Sequence, residues 1–268
     1  MEDKADMSFW EHLDVLRGTL IKIIAGTAIC GIMAFILKDE VFSIILAPKD
    51  SSFITYRLLD KISASASGTT ADAFSVDIIN TGLAGQFVTH MKIAVCTGML
   101  LISPYAIYLL FGFLSPALYA NERKYSLRIV ISGYVMFVIG MLTAYFLIFP
   151  LTFRFLGTYQ VSSEIPNMIT LPSYINTLIT MCIMLGILFE LPVLTWILSK
   201  TGILSARVMR HFRKHAIVVI FIIAAVITPT SDMFTMSAVA VPVCLLYEAS
   251  ILIAAGNGTS PRRKKQAF

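Results

Sequence analysis

The sequence predicts an all-α integral membrane protein, and three observations carry that prediction. Of its 268 residues 57% are hydrophobic and only 14% charged, and the mean hydropathy is +0.81. The apolar residues gather in runs of about 20, the length a helix needs to cross ~30 Å of hydrocarbon. Short polar stretches separate the runs and hold most of the charge. Helix is the expected form because a chain in lipid must satisfy its own N–H and C=O groups.

Six transmembrane helices are expected, over residues 20–37, 88–112, 127–149, 174–198, 215–228 and 233–255, within a single membrane domain covering 1–268. Ahead of the first run, Ser8 and Glu11 have capping-box spacing, so residues 1–18 are expected to hold an amphipathic helix with Trp10, Leu13 and Leu20 at the interface. The polar, acidic residues 1–16 lack the positive start of a cleavable signal peptide, leaving the first span as its own insertion signal. Residues 38–87 form the largest segment between spans. Pro48 marks a turn there, residues 44–59 suit a short amphipathic piece lying on the surface, and the Ser/Ala/Gly/Thr run 63–72 has linker composition. The fifth span has fourteen residues, about 21 Å at ~1.5 Å per residue, and Pro229 ends it. A span this short is expected to thin the bilayer around it.

Lys and Arg concentrate after the second, fourth and sixth spans, at Arg123, Lys124 and Arg128, at Lys200, Arg207, Arg210, Arg213 and Lys214, and in the basic tail 256–268. Cytoplasmic loops carry that excess, so both termini are expected in the cytoplasm, with 38–87 on the far side of a cytoplasmic (inner) membrane. Cys30, Cys96, Cys182 and Cys244 fall in four different spans and read as small buried apolar residues. His211 and His215 stand among Arg210, Arg213 and Lys214 with no third ligand following. No H-E-x-x-H or G-x-S-x-G occurs, so neither a metal site, a cofactor nor an enzyme is implied.

Glu190 is the informative residue. It is the only ionisable side chain in the run Met181 to Leu198, and an intramembrane carboxyl is rare enough to indicate function. Pro192, two residues on, removes a backbone donor and predicts a kink beside it. Glu248 lies near the inside boundary and is expected to snorkel or pair with a basic loop, while Asp232 precedes the sixth span and can cap its first turn. On the cytoplasmic side Glu2, Asp3, Asp6, Glu11 and Asp14 outnumber Lys4 and Arg17, and Glu122 adds another acid. Such carboxylates at a membrane surface fit either an ordinary solvated terminus or a site for an Arg-bearing peptide, since guanidinium pairs with them bidentately.

Several segments together carry a family resemblance: His12-Leu-Asp-Val-Leu-Arg17, Ser103-Pro-Tyr105, Phe113-Leu-Ser-Pro-Ala-Leu-Tyr119 with Glu122-Arg123, Tyr145 to Pro150, Phe189-Glu-Leu-Pro192, Thr228-Pro-Thr-Ser-Asp232 and Pro242 to Glu248. In order and spacing the sequence resembles TatC, the multispanning subunit of the twin-arginine protein translocase. The resemblance implies a cupped six-helix bundle with no catalytic chemistry and no nucleic-acid partner. Its implied role is to bind twin-arginine signal peptides at the cytoplasmic face, recruit single-span TatA/TatB-type subunits, self-associate in the receptor complex and export folded proteins on the proton-motive force. The implied peptide-binding residues are Glu11, Asp14, Arg17, Glu122 and Arg123, with Glu190 as the intramembrane polar site and Pro48, Pro104, Phe113, Pro192 and Asp232 as structural positions.

Two positions depart from the family pattern. Val15 stands where the family has a glutamate; Glu11 lies four residues earlier on the same helical stripe, and Asp14 is turned by about 100°. Glu11, with Asp14 as helper, is expected to supply the missing carboxylate. Leu109 replaces a usual glutamine, and Lys92 is about four turns away, so Glu190 is expected to offer hydrogen bonds to a partner helix. The competing functional class is a proton- or ion-coupled transporter with Glu190 as coupling site, which lacks a visible inverted repeat or second midplane ionisable residue.

Overall fold

The computed structural model describes residues 9–67, 76–114, 126–160, 162, 167–200, 202–230 and 232–258. Eleven α-helices account for most of the described chain: α1 (Phe9–Ile36), α2 (Lys38–Leu46), α3 (Ile54–Ser67), α4 (Gly85–Leu114), α5 (Ser126–Thr143), α6 (Phe149–Thr158), α7 (Leu171–Leu188), α8 (Leu191–Lys200), α9 (Ala206–His211), α10 (Arg213–Ile227) and α11 (Met233–Gly258). Five stretches are long and apolar enough to cross a membrane, Leu13–Ile36, Gly85–Leu110, Ile129–Thr158, Leu171–Lys200 and Met233–Gly256. The expected fifth span corresponds to α10, a 15-residue helix. All-α membrane architecture is thus what the chain adopts, with long helices whose exposed residues include many of the largest apolar side chains, among them Ile24, Ile32 and Ile36 on α1 and Val241, Leu245 and Leu252 on α11.

The differences from the sequence reading have local causes. The amino-terminal segment and the first span form one continuous helix, because no residue between Phe9 and Ile36 breaks it. Residues 44–59 comprise the end of α2, a 3-10 turn, Ala47–Lys49, that holds Pro48, and the start of α3. Residues 63–67 of the linker-like run continue α3, and 68–72 lie outside the described residues. Two short strands, β1 (Ile78–Ile79) and β2 (Ile169–Thr170), pair in parallel with Ile78 opposite Ile169. Two residues per strand leave too little periodicity to detect in sequence. The third span continues beyond Phe149 to Thr158 through a π turn, Ala144–Ile148, placed just before Pro150.

The chain divides into two compact units, and the divisions fall within α4, at the end of α5 and within α7. One unit comprises the described residues up to Ala106 together with Met141–Met184. Here α1 and α4 touch backbone to backbone, since a Cβ on Gly98 would come within 2.6 Å of Gly31 N and the Thr27 carbonyl oxygen. Small residues permit such approach where lipid supplies no hydrophobic drive between helices. Tyr56, Tyr174, Phe149 and Phe153 are buried in this unit, with the Tyr174 ring edge-on to both phenylalanines.

The other unit comprises Ile107–Gly140 and the described residues from Leu185 onward. Here α11 packs on α8, α9 and α10. Ala240, Val243, Ile251 and Ala254 form its buried side. The Tyr247 hydroxyl donates to the Met209 carbonyl at 2.8 Å and Ser199 to that of Ala254 at 3.4 Å. Ile129 and Val130 of α5 form a second small core with Ile107, Val193 and Trp196 around them.

Candidate functional site

Three prolines of the first unit show how the chain handles a missing donor. A proline returns no N–H to the carbonyl four residues back. Pro48 gives no N–H to Ile44, whose carbonyl instead accepts the Ala47 N–H at the end of α2 and the Tyr145 hydroxyl at 2.5 Å. Pro104, inside α4, leaves Leu100, whose carbonyl accepts the Ser103 hydroxyl at 2.6 Å. Pro150 leaves Phe146, whose carbonyl accepts the Thr55 hydroxyl. Tyr56, only 2% exposed, places its hydroxyl 3.0 Å from the Pro48 carbonyl and 3.2 Å from that of Pro150. Burial raises the Tyr56 phenol well above its usual range, partly offset by Arg154, so the hydroxyl keeps its proton and remains a donor. Arg154, isolated in the sequence, pairs with Asp60 at 3.5 Å and lies over the Tyr56 ring.

Pro192 produces a different result in the second unit. The spanning helix is interrupted at Phe189 and Glu190, between α7 and α8. The Glu190 N–H donates to the Ile187 carbonyl at 3.1 Å, a tightened turn, and the Leu194 N–H returns to the Glu190 carbonyl at 2.9 Å. The Glu190 side chain therefore leaves the helix at the joint.

Within this unit α5 accommodates the joint through a glycine-lined stripe. Gly133, Phe137 and Gly140 stand at i, i+4 and i+7, one face of a helix. A Cβ on Gly133 would lie 3.1 Å from Glu190 Oε2, one on Gly186 would lie 2.8 Å from the Phe137 ring, and one on Gly140 would lie 2.6 Å from the Leu185 carbonyl oxygen. The two faces run antiparallel, and glycine at each contact is what brings the carboxyl against α5. Glu190 Oε1 is buried with no hydrogen-bond partner among the described residues. A buried polar atom left unpaired typically costs about 1–3 kcal/mol, so its presence calls for a role outside stability.

The remaining candidates are dispersed. Asp14 and Arg17 are exposed, one turn apart on α1. Glu11 belongs to α1, Phe113 to the last turn of α4, and their side chains lie outside the described residues, as do Glu122 and Arg123 altogether. Lys92 donates to Asn176 Oδ1 at 2.6 Å. Glu248 pairs with Arg213 of the basic segment. Asp232 Oδ1 accepts the Thr235 N–H at 2.8 Å at the start of α11. The sequence reading missed Thr55, Tyr56, Tyr145 and Tyr174, which have no local signal, and the glycine stripe, whose seven-residue spacing inside a spanning helix was a usable one.

Fold and site together define a multipass helical membrane protein with a half-buried carboxyl at a proline-broken span. A family profile described as Sec-independent protein translocase protein (TatC) matches residues 11–242. The Sec-independent protein translocase protein TatC of Blattabacterium sp. subsp. Periplaneta americana is 33% identical over 94% of this chain and 96% of its own length. That of Carboxydothermus hydrogenoformans is also 33% identical, over 95% of each. A crystal structure of the twin arginine translocase receptor TatC superposes with a TM-score of 0.74 at 28% identity, covering 92% of this chain and 100% of that one. The chain belongs to the TatC family. It is accordingly a component of protein transport and not an enzyme, which sets aside the ion-coupled carrier.

Proposed function

We propose that this protein is the signal-peptide receptor and scaffold of a twin-arginine translocase. In this reading six spans, α10 included, place both termini in the cytoplasm, the arrangement the Lys and Arg distribution favours. Glu11, Asp14 and Glu122 then face the cytoplasm and receive the paired guanidinium groups, with Arg17 and Arg123 alongside to orient the carboxylates. Glu190 accepts or donates a hydrogen bond to a polar group of a TatA/TatB-type single-span helix, and folded cargo leaves through the assembly these helices build.

The observation that carries the reading is the unpaired, buried Oε1 of Glu190 in a chain whose relatives include proteins described as twin arginine translocase receptors. Site-specific photocrosslinking tests the receptor half. Probes beside positions 11 and 122 should capture a twin-arginine signal peptide and lose most of the product with a twin-lysine version, since lysine cannot pair bidentately. Equal capture of both, or undiminished capture after Glu11→Ala with Asp14→Ala, would overturn it.

A further inference from the structure

The first unit contains a partly open cavity of about 380 Å³, walled by α2, α4, the π turn and α7, with Ile44, Ile45, Ile93, Cys96, Ile179 and Cys182 among its lining residues. No charged side chain lines it. Its apolar walls and open side suit an acyl chain. The Lys92 to Asn176 bridge stands beside its wall. Lys92 is one turn from Cys96 on α4, and Asn176 is one turn from Ile179 on α7, each on the stripe that reaches the cavity.

Both bridge residues are exposed. Lys92 has three N–H donors and gives one to Asn176, whose amide NH2 is a further donor. Lys92 is seven residues from Gly85, about 10 Å along α4, a depth from which a lysine side chain reaches the headgroups. A cation with spare donors beside an apolar slot matches an anionic amphiphile, and in a bilayer the abundant one is a phosphate-bearing lipid anion with its acyl chain in the slot.

The geometry points to a binding site for an anionic phospholipid, with the phosphate at Lys92 and Asn176 and one acyl chain in the cavity lined by Cys96 and Ile179. None of its residues is among those proposed for signal peptides.

The test uses the purified full chain, delipidated in detergent, with lipid retention read by native mass spectrometry at matched excess of phosphatidylglycerol or phosphatidylcholine. Phosphatidylglycerol should be retained in preference, and Lys92→Gln should lower that preference about fivefold, the effect of one lysine at a membrane surface. Ile179→Trp, which fills the slot, should lower retention of both lipids. Equal retention of the two lipids by the unmodified protein overturns the proposal, as does an unchanged preference in Lys92→Gln with an unaltered thermal melt. Wild-type retention in Ile179→Trp overturns the acyl-chain placement. Should Ile179→Trp fail to fold, the two-lipid comparison and Lys92→Gln decide.

Discussion

Two proline-interrupted regions of this molecule use the same chemical defect in opposite ways. Around Pro48, Pro104 and Pro150, each carbonyl deprived of its i+4 donor is taken up by a hydroxyl, from Tyr145, Ser103 and Thr55 respectively. Around Pro192 the helix instead opens at Glu190, one of whose carboxyl oxygens is buried and unpaired among the described residues. At Ile44 and Phe146 the hydroxyl also cross-links segments distant in sequence, whereas Ser103 serves Leu100 from within its own turn. The second region retains an unsatisfied group that a partner can complete. A membrane protein can thus place rigidity and recognition in different units according to which polar groups beside its prolines it satisfies itself.

The comparison breaks first at the glycines, where the largest effects are expected. Gly140→Ala and Gly98→Ala each force a methyl to within 2.6 Å of backbone, and overpacking of this kind costs about 1–3 kcal/mol. Both should lower the detergent melting temperature, and Gly140→Ala should in addition displace the joint that carries Glu190. Next, Tyr56→Phe removes the hydroxyl beside the Pro48 and Pro150 carbonyls. Stranding a buried acceptor costs about 1–3 kcal/mol, so denaturant or thermal unfolding should show a loss on that scale, with export falling only as far as folded protein falls.

Asp232→Ala comes third. Partial burial alone would raise the Asp232 carboxyl, but bonds from the Thr230 and Thr235 hydroxyls and the Thr235 and Phe234 N–H groups outweigh it and hold it below the usual aspartate range. Loss of such a cap costs about 1 kcal/mol. A carboxyl lowered in the folded state stabilises above its unfolded value near 3.9, and the contribution disappears as pH falls through the folded value. The mutant and parent melts should therefore differ at pH 7 and converge on strong acidification.

The smallest expected change in stability is at Glu190. Glu190→Leu removes an unpaired buried carboxyl, a substitution that ranges from neutral to stabilising, and the melt should hold or rise while export is lost. Glu190→Gln should retain export if hydrogen bonding is the working interaction, and lose it if charge is. A Glu190→Leu melt as depressed as that of Tyr56→Phe would remove the distinction between the two regions.

Much of this was legible from residues alone. Span positions followed from hydropathy and length, because the bilayer imposes one thickness on every crossing helix. The joint at Glu190 followed from Pro192, since a missing N–H acts within its own turn. The pairing of Glu248 with Arg213 was expected only as pairing with some basic segment, and the fold chose the residue. The bonds made by Tyr56 and Tyr145 were not legible, since nothing within several residues of either indicates which carbonyl it will meet.

By itself, then, the sequence determined the helices, their interruptions and the rarity of Glu190, all of them consequences of local chemistry and of a solvent that forbids unpaired backbone. Tertiary structure alone decided which freed carbonyl meets which hydroxyl, which glycine faces Glu190, and that Glu190 Oε1 is left unpaired among the described residues. Those outcomes depend on contacts between residues as far apart as Thr55 and Phe146, or Gly133 and Glu190. Proline announces in the sequence that a carbonyl will be freed; only packing settles what, if anything, will satisfy it.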